Sequence, residues 1–383
     1  MMLLRIAAFT AAIGAVALAF PNLSPPRDFV EYYSAAKVLA DGGDPYDGAQ
    51  LLPVQRAITG DAELSKAVSL WTPPWTLPIY LPFGFLPFDA AHLVWLLIQA
   101  ALLALSVELL WTVCAGPRKF GFLVPYGLLF GFAPVFWNLH FGQNTAYLLF
   151  GSAGFVYFRD RGYAGLAGCC AALTAIKPHM LALFGIALLM DAASRAGRRS
   201  LAAGIGVLAI ASGISLAFNP RIFELFVGAV RKPSTPETVR LADWHVPLLA
   251  YKFRHAVAPD AFAIQFLPIM LAGVLTMAWQ WKRRLDWRVQ LPWLVLASAL
   301  VAPYGGWMFD LTVLLVPAVA AIVLITATHR SLPILASVSA LGLLSLFGFL
   351  IRGLEAPIWF APLFALWFAG TMRWSAALRG SRP

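Results

Sequence analysis

The chain has 383 residues, of which 60% are hydrophobic and only 12% are charged. A typical soluble domain is about 45–50% apolar and about 25% charged, so this composition excludes a soluble enzyme, a disordered chain and a disulfide scaffold. It leaves an integral membrane protein that lies largely within the bilayer. The three cysteines, Cys114, Cys169 and Cys170, have no metal-binding spacing and are interpreted as small packing residues.

Apolar stretches, taken in chain order, predict about twelve transmembrane helices in a single all-α domain over residues 1–383. A helix that crosses a hydrocarbon core of about 30 Å needs about 20 apolar residues. The first stretch has a second interpretation as a cleavable signal peptide, because Arg5 precedes it and Ala17-Leu18-Ala19 follows the pattern of a cleavage site. The predicted spans are 2–20, 89–113, 121–138, 144–158, 164–177, 179–191, 200–218, 261–280, 289–303, 308–328, 331–351 and 356–371.

The net charge of +10 is concentrated in short basic clusters between the apolar stretches. Cytoplasmic loops of membrane proteins carry such an excess of lysine and arginine. The clusters are Arg118–Lys119, Arg159 with Arg161, Arg195 with Arg198 and Arg199, and Lys282–Arg284 with Arg288. This placement indicates a membrane topology rather than nucleic-acid binding.

The segment 164–191 has two interpretations: one long helix kinked at Pro178, or two short spans that meet at Lys177. Two short spans put every basic cluster on the same side of the membrane, whereas one span moves the Lys282–Arg284 cluster to the other side. The positive-inside rule therefore favours two spans, with both termini in the cytoplasm. The long outer segments are then 21–88 and 219–260, and we expect the outer face to carry the function.

The first outer segment begins with an amphipathic helix, since Phe29, Tyr32, Tyr33, Ala36 and Leu39 follow helical spacing. We expect this helix to lie on the outer membrane surface. Two carboxylates open it, and they have two compatible interpretations. Asp28 and Glu31 have the spacing of a capping box, and they also offer a catalytic carboxylate at the boundary between membrane and water.

A proline-rich stretch follows, in which Trp71, Pro73, Pro74 and Trp75 precede three further prolines. This density of proline predicts an extended, stiff path. The aromatic residues are expected at the level of the lipid headgroups, either as interfacial anchors or as one wall of a groove for a lipid chain.

Polar residues also gather at other outer loops. His140, Gln143 and Asn144 follow the third span, and some of them are expected to cap the next helix. Lys177 lies at the tip of the two short spans, where a fixed cation suits a phosphate. Further candidates are Tyr304 and Asp310 in one outer turn and His245 in the second long outer segment.

Several functions lack their sequence signatures. There is no phosphate-binding GxxxxGK[ST] loop, no HExxH zinc helix and no GxSxG nucleophile elbow. Ionisable residues deep in the spans, which ion-coupled transporters usually need, are nearly missing apart from Glu108. A lipid or glycolipid transporter that uses the same outer groove stays open as the alternative to an enzyme.

The residues Asp28-Phe29, Tyr32-Tyr33, Gly42-Gly43 and Pro45-Tyr46-Asp47 together resemble the opening signature of glycosyltransferase family 87. Pro73-Pro74 with Pro82-Phe83-Gly84, Gly142-Gln143-Asn144 and Lys177-Pro178 resemble further blocks of that family, and the likeness runs over about residues 25–190. His179 departs from it, since the family often has glutamine there, and the segment 219–260 has no counterpart. The family comprises polytopic, mannosyltransferase-like enzymes of the GT-C class.

The resemblance implies transfer of a hexose, with mannose expected, from a polyprenyl-phosphate sugar to a lipid or envelope-glycan acceptor outside the cytoplasmic membrane. It implies that Asp28 is the catalytic base, and Glu31 is then a supporting carboxylate. We expect Lys177, His179 and His140 to bind the donor phosphate, and Gln143, Asn144 and Tyr33 to contact the sugar. Trp71, Pro73, Pro74 and Trp75 would line the lipid groove. No metal and no further cofactor is expected. These roles require Asp28, His140, Gln143 and Lys177 to converge at one outer cavity.

Overall fold

The computed structural model describes residues 2–19, 27–117, 122–231, 246, 248–281, 285–328, 330–350 and 356–380. These residues form α-helices and short 3₁₀ turns, and no strand occurs among them. The eighteen α-helices of the described residues are α1 (Met2–Ala19), α2 (Arg27–Ala40), α3 (Gly48–Thr59), α4 (Leu77–Tyr80), α5 (Phe88–Val113), α6 (Leu123–Gly131), α7 (Ala133–Phe141), α8 (Thr145–Asp160), α9 (Ala164–Ala172), α10 (Ala182–Asp191), α11 (Arg195–Phe218), α12 (Ile222–Arg231), α13 (Leu249–Val257), α14 (Leu267–Gln280), α15 (Trp287–Val301), α16 (Leu315–Thr326), α17 (Ser331–Leu350) and α18 (Ala356–Gly380).

The all-α prediction is confirmed for the described residues, and the helices follow the predicted spans closely. Five of them are long and apolar enough to cross a membrane: α1, α5, α11, α14 with its preceding 3₁₀ turn, and α17. Four shorter apolar stretches lie at 164–176, 178–191, 287–301 and 310–326. The chain therefore has the helices of a multi-pass membrane protein. The predicted span 121–138 is divided at Phe132, whose extended backbone begins the new helix α7.

The two apolar stretches that meet at Lys177, 164–176 and 178–191, form a helical hairpin. The backbone of Lys177 is not helical (φ −130°, ψ 74°), so it ends the first stretch and begins the second. Their far ends also lie close together, because Arg159, near the end of α8 and five residues before α9, pairs with Asp191 at the end of α10. This contact confirms two short helical stretches rather than one kinked helix, and it puts Lys177 at the tip of a hairpin.

The basic clusters that the structure describes gather at the far end of this hairpin. Arg288 at the start of α15 pairs with Asp160 at the end of α8. Trp287 donates a hydrogen bond to the Asp191 carboxylate at 3.2 Å. Helices α8 and α15 both extend between this basic end and the opposite end of the bundle, where Lys177 lies. Helix α8 ends at the basic end, and α15 begins there. The helices thus separate a basic end from the end that carries the polar loop residues.

Helix α2 is the centre of a second apolar cluster, distinct from the core of the bundle. From Phe29 to Ala36 every side chain is buried, including those of Glu31 and Ser34. The expected helix is therefore present, but the protein encloses it on several sides instead of leaving one polar face exposed. A helix buried on nearly every side needs partners for its polar groups, and Ser34 receives a hydrogen bond from Gln55 of α3 at 3.0 Å.

The proline-rich stretch forms three short helical turns, so the expected extended path is also wrong. The turns are Pro74–Thr76, α4 and Leu81–Phe85. Each turn has a proline in its first two positions, where the missing N–H costs nothing and the fixed φ suits a helix. The prolines therefore start new turns instead of holding the chain extended.

Gly84 in the last of these turns fixes how closely α2 approaches. A Cβ at this position would lie 2.8 Å from the carbonyl carbon of Ala36. Because the obstacle is helix backbone, it has no side chain that can move aside. We expect Gly84→Ala to displace α2 and to lower the melting temperature of the detergent-solubilised protein. Gly127→Ala, in α6 where a Cβ meets nothing within 4 Å, is the matched control. Equal melting of both variants would contradict this account.

Candidate active site

A continuous set of hydrogen bonds joins Asp28 to Lys177 through the side-chain amide of Gln143. Gln143 Nε2 donates to Asp28 Oδ2 at 2.8 Å, and Lys177 Nζ donates to Gln143 Oε1 at 2.7 Å. These residues are far apart in sequence and come from α2, the α7–α8 junction and the hairpin tip. The expected convergence of Asp28, Gln143 and Lys177 is therefore confirmed.

The junction between α7 and α8 is built to present Gln143. Gly142 ends α7 in the left-handed region (φ 67°), which glycine adopts at little cost. Its carbonyl accepts a hydrogen bond from the buried indole of Trp95 in α5 at 2.7 Å. The backbone N–H of Gln143 in turn donates to Asn138 O at 2.9 Å. The turn is therefore held by bonds to α5 and α7, and the amide has little freedom to move.

Lys177 is also paired with Asp310, at 2.7 Å between Nζ and Oδ1. The two side chains are 12% and 1% exposed, so this ion pair is largely removed from water. Asp310 accepts further hydrogen bonds from the Trp307 backbone N–H at 3.2 Å and from the Thr145 hydroxyl at 3.4 Å. A buried pair is stable only when its remaining lone pairs find donors, and these two groups supply them.

The loop before Asp310 depends on Gly305. This residue has φ 76°, and a Cβ there would lie 3.2 Å from Asp310 Oδ2 and 3.1 Å from His179 Nε2. The glycine therefore lets the loop close over the carboxylate. His179 and Tyr304 meet edge to face, with ring centroids 5.8 Å apart. Both lie beside the ion pair, and His179 follows Lys177 in the hairpin.

Tyr32 is a residue of the site that the sequence analysis did not assign a role. Its hydroxyl donates to Gln143 Oε1 at 2.8 Å, and its ring stacks on Tyr80 with centroids 4.5 Å apart. Burial, followed by the nearby Glu31, raises the pKa of Tyr32 well above its ordinary value, so the hydroxyl stays protonated. The signal was available, because Tyr32 is one helical turn after Asp28, whereas Tyr33 is rotated away from it.

Asn144 and Glu31 lie close to this hydrogen-bonded set. Asn144 Nδ2 donates to the Tyr80 hydroxyl at 2.6 Å, and the residue is fully buried. Glu31 is buried one turn along α2 from Asp28.

Because α2 begins at Arg27, Asp28 lies in the first helical turn rather than at the cap. Its carboxylate is half-buried and bonds to Gln143, so it is directed into the site.

The structure places the other candidates elsewhere. His140 is exposed and stacks on Phe136 at 5.7 Å. The hydroxyl of Tyr33 donates to Leu86 O at 2.8 Å. His245 lies outside the described residues.

The proline-rich stretch packs inside the protein rather than facing an open groove. Pro73 and Pro74 are buried, and the Pro74 carbonyl accepts a hydrogen bond from Ser215 at 2.7 Å. Trp75 donates to the carbonyl of Ala175, two residues before Lys177, at 2.9 Å. The Trp71 indole nitrogen is buried and finds no hydrogen-bond partner among the described residues. This stretch therefore supports the hairpin that carries Lys177. In the described part of the chain, no three His, Cys, Asp or Glu side chains are grouped to hold a metal.

In a comparison with known protein families, residues 70–351 match glycosyltransferase family 87. The chain belongs to this family. It is therefore a glycosyltransferase, and the transporter alternative loses its support. The match includes Gln143, Lys177 and Asp310 and extends well beyond residue 190, but it begins after Asp28. No match was found among curated proteins or among solved structures.

The buried ion pair predicts a measurable stability difference in this family 87 enzyme. Breaking a buried pair by removing one partner typically costs about 3–5 kcal/mol, because the other charge is left uncompensated. We expect Lys177→Met and Asp310→Asn each to lower the melting temperature clearly. The double variant Lys177→Met with Asp310→Leu should recover part of that loss, because it leaves no unpaired charge.

The control for this experiment is Arg221→Gln, which breaks the exposed pair between Arg221 and Glu224. Exposed pairs contribute little, so its melting temperature should match that of the wild type. Single variants at Lys177 and Asp310 that melt like this control would contradict the assigned role of the pair.

Proposed function

We propose that this glycosyltransferase moves a hexose, with mannose as the expected sugar, from a polyprenyl-phosphate donor to a lipid or envelope-glycan acceptor. The observation that supports this proposal is the half-buried carboxylate of Asp28, joined through Gln143 to the cation of Lys177. A base and a phosphate-binding group within one hydrogen-bonded set suit a reaction in which a hydroxyl displaces a phosphate.

Asp28 is the general base of the proposed reaction. It takes the proton of the acceptor hydroxyl while the oxygen forms a bond to the anomeric carbon of the sugar. The bond between that carbon and the phosphate oxygen breaks at the same time, and the configuration inverts. Such a displacement needs one base and no covalent intermediate. The phosphate leaves as an anion, so no second acid is required.

Lys177 is the group that we assign to the donor phosphate. An ammonium has three N–H donors, and two of them bond to Gln143 and Asp310. No acceptor for the third lies among the described residues, and we assign it to a phosphate oxygen. Because Asp310 offsets its charge, Lys177 contributes a fixed hydrogen-bond donor more than an unpaired positive charge. A donor held in place before the reaction stabilises the leaving anion without reorganisation.

The proposed setting is a GT-C type bundle of about twelve crossings in the cytoplasmic membrane, with the active site on the outer face. The separation of the basic end from the Lys177 end supports this orientation, because basic loops favour the cytoplasm. The outer segment 27–88 then encloses the catalytic carboxylate, and the lipid donor reaches it from the outer leaflet.

Replacement of Asp28 by asparagine tests the role of the base. The amide oxygen of the variant can still accept the bond from Gln143, but it cannot take a proton. General-base catalysis typically contributes about 10²–10⁴ in rate, so we expect a loss of that size. The assay incubates purified enzyme with polyprenyl-phosphate-mannose and membrane lipid, and mass spectrometry follows free polyprenyl phosphate and the glycosylated product.

Asp89→Asn is the matched control, because Asp89 is an exposed aspartate in the first turn of α5. It should transfer sugar at the wild-type rate. Equal product from Asp28→Asn and the wild type would keep the transferase and remove Asp28 from the chemistry. No product from any of the enzymes, with a panel of donor sugars, would overturn the proposed donor class.

The orientation is tested by cysteine labelling in intact cells. Asp61→Cys lies at an exposed turn of the outer segment, and Arg198→Cys lies at the basic end. Both are made with Cys169→Ser, which removes the exposed native thiol. A membrane-impermeant maleimide should label position 61 directly and position 198 only after permeabilisation. The reverse pattern would put the active site on the cytoplasmic face.

A further inference from the structure

Helix α13, from Leu249 to Val257, exposes a continuous apolar surface. Successive residues of an α-helix are rotated by about 100°, so residues four apart fall on nearly the same side. Leu249, Phe253 and Val257 therefore form one row, and they are 44%, 42% and 60% exposed. Three large apolar side chains in a row form a surface that water solvates poorly, and this row is the α13 stripe.

The α13 stripe lies between two other faces of the helix. Ala250 and Arg254 follow on one side of the stripe, and both are buried against the protein. The Arg254 guanidinium lies over the ring of Phe262, 5.5 Å from its centroid. On the other side of the stripe, Lys252 and His255 are exposed. The helix thus has one face for the protein, one polar face and one exposed apolar face between them.

Helix α13 lies where a membrane span begins. It packs against the 3₁₀ turn Phe262–Phe266, which opens the candidate span Phe262–Gln280. In this turn, the side chain of Gln265 donates a hydrogen bond to the carbonyl of Pro303, the start of the loop that leads to Asp310. The helix is therefore at the membrane boundary on the end of the bundle that carries the buried ion pair.

The length of α13 and its neighbour α14 indicate what covers the stripe. Nine residues of helix span about 14 Å, so α13 cannot cross a hydrocarbon core of about 30 Å. The span that follows exposes Leu267, Met270, Leu271 and Val274, which contact lipid when α14 crosses the membrane. Only residues 258–261 join α13 to this span. The stripe therefore adjoins a lipid-facing surface at the same boundary.

We propose that α13 lies in the membrane interface at the Lys177 end, with its stripe among the acyl chains of phospholipids. Interfacial helices have this division, with an apolar face below the headgroups and a basic polar face towards water. Lys252 on the polar face suits the phosphates of the headgroups. The proposal does not use the reaction or its donor. It requires only that the chain is a multi-pass membrane protein.

Two contacts connect this interfacial helix to the loop before Asp310. Leu248, directly before α13, lies so close to Gly306 that a Cβ at Gly306 would overlap its side chain. Gln265, in the turn that α13 packs against, holds the start of the same loop at Pro303. The membrane contact of α13 therefore sets the level of this loop, and of Asp310 at its end, relative to the lipid surface.

The test measures the depth of α13 in nanodiscs of phosphatidylcholine and phosphatidylglycerol. Single cysteines in the full chain carry a nitroxide, and Cys169→Ser removes the exposed native thiol. Oxygen concentrates among acyl chains, whereas a nickel chelate stays in water, and each relaxes the nitroxides that it reaches. Labels at Phe253→Cys and Val257→Cys should respond more to oxygen and lie about 5–10 Å below the headgroup boundary. A label at Lys252→Cys should respond more to nickel.

Two reference positions calibrate this measurement. Leu271→Cys on the exposed side of α14 gives the response in lipid, and Asp61→Cys at an exposed turn gives the response in water. Equal access of nickel to positions 253 and 252 would show that the stripe is in water and would overturn the proposal. Exclusion of both reagents from 253 and 257 would overturn it as well, because a second copy or another part of the chain would then cover the stripe.

A charged variant tests the same contact by removing it. Phe253→Asp places a carboxylate where the stripe enters the bilayer, so a nitroxide at 257 should move towards water, whereas Phe253→Leu should keep its depth. Detergent solution removes the bilayer but keeps the contacts within the protein, so both variants should melt there like the wild type. An unchanged depth in Phe253→Asp would overturn the proposal. A large loss of its melting temperature would also do so, since it would show that Phe253 packs on protein.

Discussion

The ammonium of Lys177 is the charge on which the architecture of this enzyme depends. An ion at the tip of an apolar hairpin is stable only if the protein replaces the water it has lost. Asp310 supplies the opposite charge and Gln143 supplies an amide oxygen, at 2.7 Å each. The two partners come from the 3₁₀ turn before α16 and from the α7–α8 junction, so one desolvated cation holds three separate parts of the chain in place. Asp28 joins this set through Gln143, and the position of the proposed base is therefore linked to the packing of the bundle.

The hairpin explains why the two stretches around Lys177 are so short. Arg159 and Asp191 meet at its far end, and Lys177 must reach the level at which Gly142 ends α7. The stretch 178–191 turns back at once because Pro178 directly follows Lys177 and begins a new helical turn. The hairpin is also held from the side, because Trp75 bonds to the Ala175 carbonyl. The proline-rich stretch thus contributes to the site by supporting the residue beside it.

The sequence was most informative where a local rule applies, as in the helices and the hairpin. Apolar length predicted most of the helical stretches to within about five residues, although α18 runs nine residues past its predicted end and the span 121–138 is two helices. The charge distribution identified the turn at Lys177. Local rules were misleading for α2, because periodicity shows that one face is apolar but not that Ser34 and Glu31 find places inside the protein. They also favoured Tyr33, which bonds to Leu86, over Tyr32, which bonds to Gln143. The family resemblance marked Gln143 and Lys177 but not the contact between them, since pairing between residues 34 positions apart depends on the tertiary structure.

An amide is the side chain that the position between Asp28 and Lys177 requires. One neighbour only donates hydrogen bonds, and the ionised form of the other only accepts them. A carboxylate at position 143 would satisfy Lys177 but would repel Asp28, and a cation would satisfy Asp28 but would repel Lys177. An amide has both a donor and an acceptor and no net charge, so it bonds to both groups and repels neither. The asymmetry of Gln143 therefore links the fixed position of Lys177 to the position of the Asp28 carboxylate.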